Sequence, residues 1–305
     1  MSVEIIGPEA EAHLDWRALT DALEAGHSLP RAEIGDTFLY RDPDTLLSRA
    51  AWIDGMGQLV KTATIFAGNK AAGKPTVNGA VNLYSDQDGT LDALVDFHLV
   101  TKWKTAGDSI LAARKLARPD SKTILIVGAG TVGRSLREAY GAIFPDARFL
   151  IWNRSPEGAA RFADTTLGVT AIDDLEAGVS QADIITCATM STEPLIKGEW
   201  LRAGQHLDLI GAYRPDMREA DDDALGRARV FVDSRATTIG HIGELKMPLA
   251  SGAISEADIK ADYYDLPSGA FTRQSQEDIT LFKNGGGAHL DLMTARYILD
   301  AWRQR

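Results

Sequence analysis

The sequence predicts an α/β protein of two domains, a doubly wound parallel sheet joined to a smaller α+β domain. Three observations carry this. From Ser121 onward, fully apolar runs of strand length alternate with helical patterns, as they do where parallel strands are covered on both faces by helices. Between Thr37 and Val100 the rhythm is instead one of short strand-like pieces separated by turn residues, which suits an antiparallel sheet. The 305 residues are too many for one average domain and comfortable for two.

The elements follow in order. Residues 9–26 (EAEAHLDWRALTDALEAG) read as one amphipathic helix, with Leu14, Leu19 and Leu23 near helical spacing and Gly26 as a stop. The strand-like pieces TFLY, LLSRAAWI, LVKTATIF, AVNLYS and LDALVDF are punctuated by DPD, GNKAAGKP and SDQDGT, the last a hairpin signal. Residues 101–118 read as a helix ended by Pro119, and the domain boundary falls near it. Then come TILIVGA, the helix VGRSLREAYGAI and the strand RFLIWN, followed by the apolar runs DIITCAT, HLDLIGA and VFVDS. The closing segment DITLFKNGGGAHLDLMTARYILDAWRQR is a strand, a glycine-rich turn and a terminal helix.

Charge and composition exclude several functions. A formal charge of −11 repels nucleic acid and anionic membranes, so neither is expected as a partner. An anionic substrate must then be met by a local cluster of Lys and Arg. No apolar run approaches the roughly eighteen residues of a membrane span, and the acidic N-terminal stretch lacks the basic start of a secretory signal. The single cysteine, Cys187, cannot form an internal disulfide, and the expected compartment is the cytoplasm.

Gly128-Ala129-Gly130-Thr131-Val132-Gly133 is a G-x-G-x-x-G sequence. Among 28 glycines a chance match is easy, but this one follows an apolar strand and opens a helix, the context of a Rossmann-type dinucleotide site. Gly128 suits the tight turn, Gly130 the approach of a pyrophosphate, and Gly133 close packing of helix on strand. The helix's first N–H groups and its dipole would then hold the phosphates. Enzymes that use NAD usually carry an Asp or Glu at the end of the second strand. Here that strand ends in Asn153-Arg154-Ser155, a set that suits a 2′-phosphate. NADP(H) is therefore the preferred coenzyme, with NAD(H) possible. Cys187-Ala188-Thr189 ends the fourth strand of this unit, where such folds line the nicotinamide pocket. Cys187 itself reads as an inert buried thiol.

In the first half, Lys61 stands in a strand otherwise made of small and apolar residues. Two placements are open to it: outward to solvent, or inward with a partner, since buried lysines are rarely alone. Lys104 opens the inter-domain helix and is open to the same two readings. Arg41 and Arg49 flank the strand Leu46–Ile53.

The order of LVKTATIFAGN, LVTKWKTAGDSILAARKLAR, ILIVGAGTVGR, FLIWNRS, GELKMPLASG and ITLFKNGGGAHLD resembles the ornithine cyclodeaminase/mu-crystallin family. The likeness runs from about Thr37 to the C-terminal helix. It implies a dimer with a Rossmann domain, residues 116–285, and a substrate-binding and dimerisation domain, residues 1–115 with 286–305. By position, Lys61 matches the family's substrate-contacting lysine. Lys104 stands where the family usually has a carboxylate-clamping arginine, a departure that removes the bidentate fork. For a further carboxylate-gripping arginine, Arg41 is the first choice and Arg49 the second. In Gly211-Ala212-Tyr213, Tyr213 stands where cyclodeaminases carry a catalytic Asp, with Asp216 three residues on.

The resemblance therefore implies NADPH-dependent reduction of a small cyclic imino acid, with Lys61 as the catalytic residue. Arg41, Arg49, Lys104 and Tyr213 would face the substrate. Gly128, Gly130, Thr131, Val132, Gly133, Asn153, Arg154, Ser155, Cys187, Ala188 and Thr189 would face the coenzyme, and no metal is expected. Ornithine cyclodeamination, an alanine-dehydrogenase-like activity and a non-catalytic NADP-binding role are the alternatives. Strands between Lys61 and Ser85 would leave an open sheet edge in a monomer, which points to a homodimer paired through the first domain.

Overall fold

The computed structural model describes residues 3–305. The chain divides into two compact units, one running to Lys104 and resumed over Gly286–Arg305, the other Thr105–Gly285.

The first unit is built on six strands: β1 (Glu4–Ile6), β2 (Glu33–Arg41), β3 (Asp44–Ile53), β4 (Gly57–Ile65), β5 (Val77–Tyr84) and β6 (Leu91–Asp96). Their order among the described residues is β1-β6-β5-β4-β3-β2. The meander from β2 to β6 is antiparallel, while β1 adds to β6 in parallel. Interior strands β4 and β5 are paired on both sides, so the strands expected to leave an edge do not. The open edge near them is β2, and it exposes Phe38, Leu39 and Tyr40.

The turn between β3 and β4, Asp54-Gly55-Met56, sets their register and pairs Arg49 with Lys61. Gly57, which closes it, has φ of 106°, and a Cβ there would lie 2.4 Å from the Tyr84 carbonyl oxygen. Side chains of a strand alternate between faces. Leu59, Lys61 and Ala63 of β4 accordingly share the buried face.

Helix α1 (Trp16–Gly26) is shorter than the sequence pattern suggests. The Asp15 side chain accepts from the Ala18 N–H at 2.8 Å and caps a new helix start, and Pro8–His13 forms a separate 3₁₀ turn. A carboxylate that satisfies an orphan N–H here outweighs the continuous amphipathic pattern. Helix α2 (Phe97–Leu116) begins earlier than expected because Asp96 accepts from the Leu99 N–H at 2.7 Å.

The second unit holds a wholly parallel sheet: β7 (Thr123–Val127), β8 (Arg148–Trp152), β9 (Val169–Ala171), β10 (Ile184–Cys187), β11 (His206–Leu209), β12 (Arg229–Val232), β13 (Ile259–Ala261) and β14 (Thr280–Lys283). The order among the described residues is β13-β12-β14-β11-β10-β7-β8-β9. The chain winds outward from β7 in one direction through β8 and β9, and in the other from β10. The point where the order reverses, between β7 and β10, is where open α/β sheets place their ligands. Helices α3 (Thr131–Ile143), α4 (Pro156–Thr165), α5 (Leu175–Gln181), α6 (Asp222–Arg227), α7 (Arg235–Thr238) and α8 (Gly243–Ser251) connect the strands. The terminal helix α9 (Ala288–Arg303) belongs to the first unit and packs on β3 and β4. No helix among the described residues is long and apolar enough to cross a membrane.

Candidate active site

On the buried face of β4, Lys61 is only 6% exposed. Its Nζ donates to Asp291 Oδ1 and to Thr101 Oγ1, both at 2.8 Å. The Thr101 hydroxyl spends its own hydrogen on the Phe97 carbonyl at 2.7 Å, so it can only accept from the lysine. The ammonium also lies 4.7 Å from the centre of the Phe97 ring. Burial pushes the Lys61 pKa below its ordinary value. Asp291 counters this, while Lys104 and Arg49 add to it, and the net shift is downward.

Asp291, in the first turn of α9, is fully buried. Burial alone would raise its pKa, but Lys61, Lys104 and Arg49 outweigh that and hold the carboxyl below its usual value. Arg49 reaches the same carboxylate at 3.6 Å, donates to the Gly286 carbonyl at 3.0 Å and makes a two-pronged contact with Asp36. Lys104, 8% exposed, points to the Gly286 carbonyl across a long 3.5 Å contact. Three cations, Arg49, Lys61 and Lys104, thus face two carboxylates, Asp36 and Asp291, and one positive charge is left over. His289, one residue from α9's start, has a pKa of about 3 through burial, only partly offset by Asp291, with Lys104 and Arg49 lowering it further. That shift favours the neutral ring at ordinary pH.

In the second unit the glycine turn has the shape a dinucleotide needs. Gly128 has φ of 116°, and a Cβ there would lie 2.6 Å from the Ala188 carbonyl oxygen. At Gly133 a Cβ would lie 2.3 Å from the Gly128 oxygen, which fixes how closely α3 follows β7. Gly130 would meet nothing within 4 Å, so its open side faces whatever approaches the turn. It is also the N-cap of α3 and supplies no side-chain cap, which leaves the helix's first N–H groups, from Thr131, Val132 and Gly133, for an anion.

The end of β8 splits in role. Asn153 Oδ1 accepts from the Ala129 N–H at 3.1 Å and braces the glycine turn. The Ser155 hydroxyl caps α4 and donates to Glu157 at 2.7 Å. Arg154 is exposed, and among the described residues it has no hydrogen-bond or ion-pair partner. Of the three, only Arg154 is uncommitted. Cys187 packs inside the hydrophobic core, and burial first, then Glu219, drives its thiol pKa well up. Its side chain is thereby withdrawn from a coenzyme-lining role, and the half-buried Ala188 and Thr189 are what this strand end presents.

The family model for the ornithine cyclodeaminase/mu-crystallin family matches residues 54–305. The chain belongs to that family. Among its relatives, the Δ1-pyrroline-2-carboxylate reductase of Paracoccus denitrificans is 53% identical over 296 residues, 95% of this chain and 94% of that protein. A solved structure of Thermococcus litoralis Δ1-pyrroline-2-carboxylate reductase, in complex with NADH and L-proline, superposes with a TM-score of 0.90 at 24% identity, covering 99% of this chain and 98% of the other. An archaeal alanine dehydrogenase dimer with bound NAD gives 0.89 at 26% identity, covering 100% and 97%.

Within this family framework the structure gathers Lys61, Lys104 and Arg49 and leaves Arg41 out. Arg41 is 78% exposed in its side chain and pairs with Asp44 at 3.0 Å. The order of preference between the two arginines is therefore reversed, because Arg41 pairs across the hairpin with Asp44 while Arg49 lies opposite Lys61. Tyr213 is 58% exposed, and the neighbouring Asp216 is engaged by Arg214 at 2.9 Å. Asp291, Asp36 and Thr101 were not marked by sequence reasoning. The signal available was an inward lysine's need for a carboxylate. Among the described residues no cluster of His, Cys, Asp and Glu could hold a metal.

Proposed function

We propose that this chain reduces a small cyclic imino acid, Δ1-pyrroline-2-carboxylate or its six-membered homologue, to L-proline or L-pipecolate, with NADPH preferred and NADH accepted. The chain is an oxidoreductase acting on carbon–nitrogen double bonds. One observation carries the substrate reading: the buried Lys61–Asp291 pair sits in a cluster with a single unbalanced positive charge. A monoanionic imino acid supplies the missing negative charge. In a protein of net charge −11 such a local excess has to be built deliberately.

In this reading Lys104 and Arg49 hold the substrate carboxylate, Lys104 as a point charge and Arg49 through the N–H groups that Asp36 and Gly286 leave unspent. Lys61 has three ammonium hydrogens and two acceptors, Asp291 and Thr101, so one hydrogen remains to give to the imine nitrogen. Asp291 keeps the lysine charged in a place where burial opposes charge. When bound, the nicotinamide coenzyme supplies the hydride. The turn Gly128–Gly133 and Asn153 would hold its pyrophosphate, Arg154 its 2′-phosphate, and Ala188 and Thr189 its nicotinamide end. The strong likeness to a Δ1-pyrroline-2-carboxylate reductase supports this choice over cyclodeamination, as does Tyr213 in place of the cyclodeaminase Asp.

Following NADPH absorbance with the two cyclic imines, pyruvate plus ammonia, and ornithine tests the reading. Turnover of a cyclic imine well above the others is expected. Ammonia release from ornithine as the fastest reaction would make the enzyme a lyase instead. Arg154→Ala is expected to weaken NADPH binding about tenfold, the scale of a lost charge-assisted contact, and to leave NADH nearly unchanged. Equal losses for both coenzymes would remove Arg154 from the 2′-phosphate site. The apolar open edge at β2 supports assembly through the first unit. A homodimer is expected in sedimentation at micromolar concentration, and a monodisperse monomer there would refute it.

A further inference from the structure

Two carboxylates lie fully buried beneath the C-terminal ends of β10 and β11 in the second unit, Glu219 and Glu244. Glu219 Oε1 accepts from both the N–H and the hydroxyl of Thr189, each at 2.7 Å. Its Oε2 accepts from the Gly211 N–H at 2.6 Å. Thr189 lies two residues beyond β10, and Gly211 two residues beyond β11. One carboxylate therefore ties together the two loops that leave adjacent strands. The fit is tight: a Cβ on Gly211 would lie 1.7 Å from the Thr189 carbonyl oxygen.

Glu244, from α8, holds the clamp in turn by accepting from the Glu219 and Ala220 N–H groups at 2.7 and 3.0 Å. Burial, and next the charge of Glu219, pushes the Glu244 pKa up to about 7, with Lys283 acting against the rise. Two neighbouring buried acids are a costly way to brace a loop, since neutral or apolar packing commonly does as well. What a carboxylate does that an amide cannot is accept at both oxygens. It can thereby fix the spacing of two sets of donors at once. Met190, next after Thr189, and Tyr213, two residues after Gly211, are 72% and 58% exposed. Both stand at the C-terminal edge of the sheet beside the reversal in strand order, the side where such sheets bind their ligands.

We propose that Glu219 is a positioning residue for hydride transfer: it sets the distance between the Thr189 and Gly211 loops and so the seat of the nicotinamide ring, with Met190 and Tyr213 as its apolar flanks. This rests on the coenzyme reading above but not on the identity of the imine.

The test compares full-length wild type with Glu219→Gln and Thr189→Val. The affinities for NADPH and for ADP-ribose 2′-phosphate, which lacks the nicotinamide ring, are measured without any imine present. In Glu219→Gln an amide N–H₂ must face either Thr189 or Gly211. The NADPH affinity and kcat are each expected to fall about tenfold, while the fragment's affinity changes less than about twofold. Thr189→Val deletes one of the three donors without touching the buried acids and is expected to shift the same ratio about threefold. It keeps the test decisive if Glu219→Gln does not fold. Equal losses for coenzyme and fragment, or an unchanged ratio in both variants, would overturn the proposal. A wild type that binds NADPH but reduces no imine would sink the substrate reading alone, and the binding ratio would still decide for Glu219.

Discussion

Replacing Lys61 with Met is expected to lower the turnover number at least about a hundredfold, the effect of removing a positioned proton donor or electrostatic contact. The substitution keeps the length of the stem that passes Phe97 and deletes only the charged end. Coenzyme affinity, which the proposed function assigns to the glycine turn and Arg154 and not to Lys61, is expected to stay at the wild-type value and serves as the check that the variant is folded. The other two cations should behave differently. Lys104→Met or Arg49→Met is expected to raise KM more than it lowers kcat, because a carboxylate clamp acts in the ground state and the transition state alike. Turnover by Lys61→Met within a factor of two of wild type would show that the lysine is a structural ion pair and nothing more.

The second large effect is expected at Asp291. Asp291→Asn removes the only carboxylate in contact with the buried Lys61 among the described residues, and removing one member of a buried pair typically costs about 3–5 kcal/mol of stability. The kinetic consequence has a definite sign. If Lys61 acts in its protonated form, the rate falls as pH rises through the lysine's pKa. That pKa is already below its ordinary value because of burial, and Asp291 is the influence that raises it. Without the carboxylate it drops further, so the alkaline limb of kcat/KM must move to lower pH. A limb that stays in place would detach Lys61 from the chemistry. An acidic limb that shifts instead would mean the lysine works as a neutral base.

The parts of this molecule that were legible in the sequence are those whose signals are local. The run Thr123–Val127, the glycines after it and the helix that follows could be read directly, since turn, strand and helix constrain one another within a few residues. Lys61 could be singled out because one charged residue among Leu59, Val60, Ala63 and Ile65 breaks a pattern. Its direction could not, and neither could its partner, because Asp291 lies 230 residues away in the chain. The choice between Arg41 and Arg49 depended on register. The turn at Asp54-Gly55-Met56-Gly57 fixes it, and counting outward from that turn places Arg49 opposite Lys61. The break between the 3₁₀ turn at Pro8–His13 and α1 was hidden for a similar reason, since a continuous apolar stripe conceals a capping aspartate.

The unit that carries Lys61 is assembled from two stretches of chain separated by the whole of the other unit. This imposes an order on synthesis. Thr105–Gly285 is contiguous and can complete its sheet as it emerges, whereas the meander β2–β6 must wait for α9 with a lysine on its apolar face and no counterion. Until Asp291 arrives, that lysine favours solvent or the neutral form over the packed, charged one. A ribosome stalled before Gly286, or a fusion that hinders α9 from docking, would thus leave a dinucleotide-binding unit able to fold beside a sheet whose buried face has yet to close. Proteolysis of such partial chains should spare the former and attack the latter.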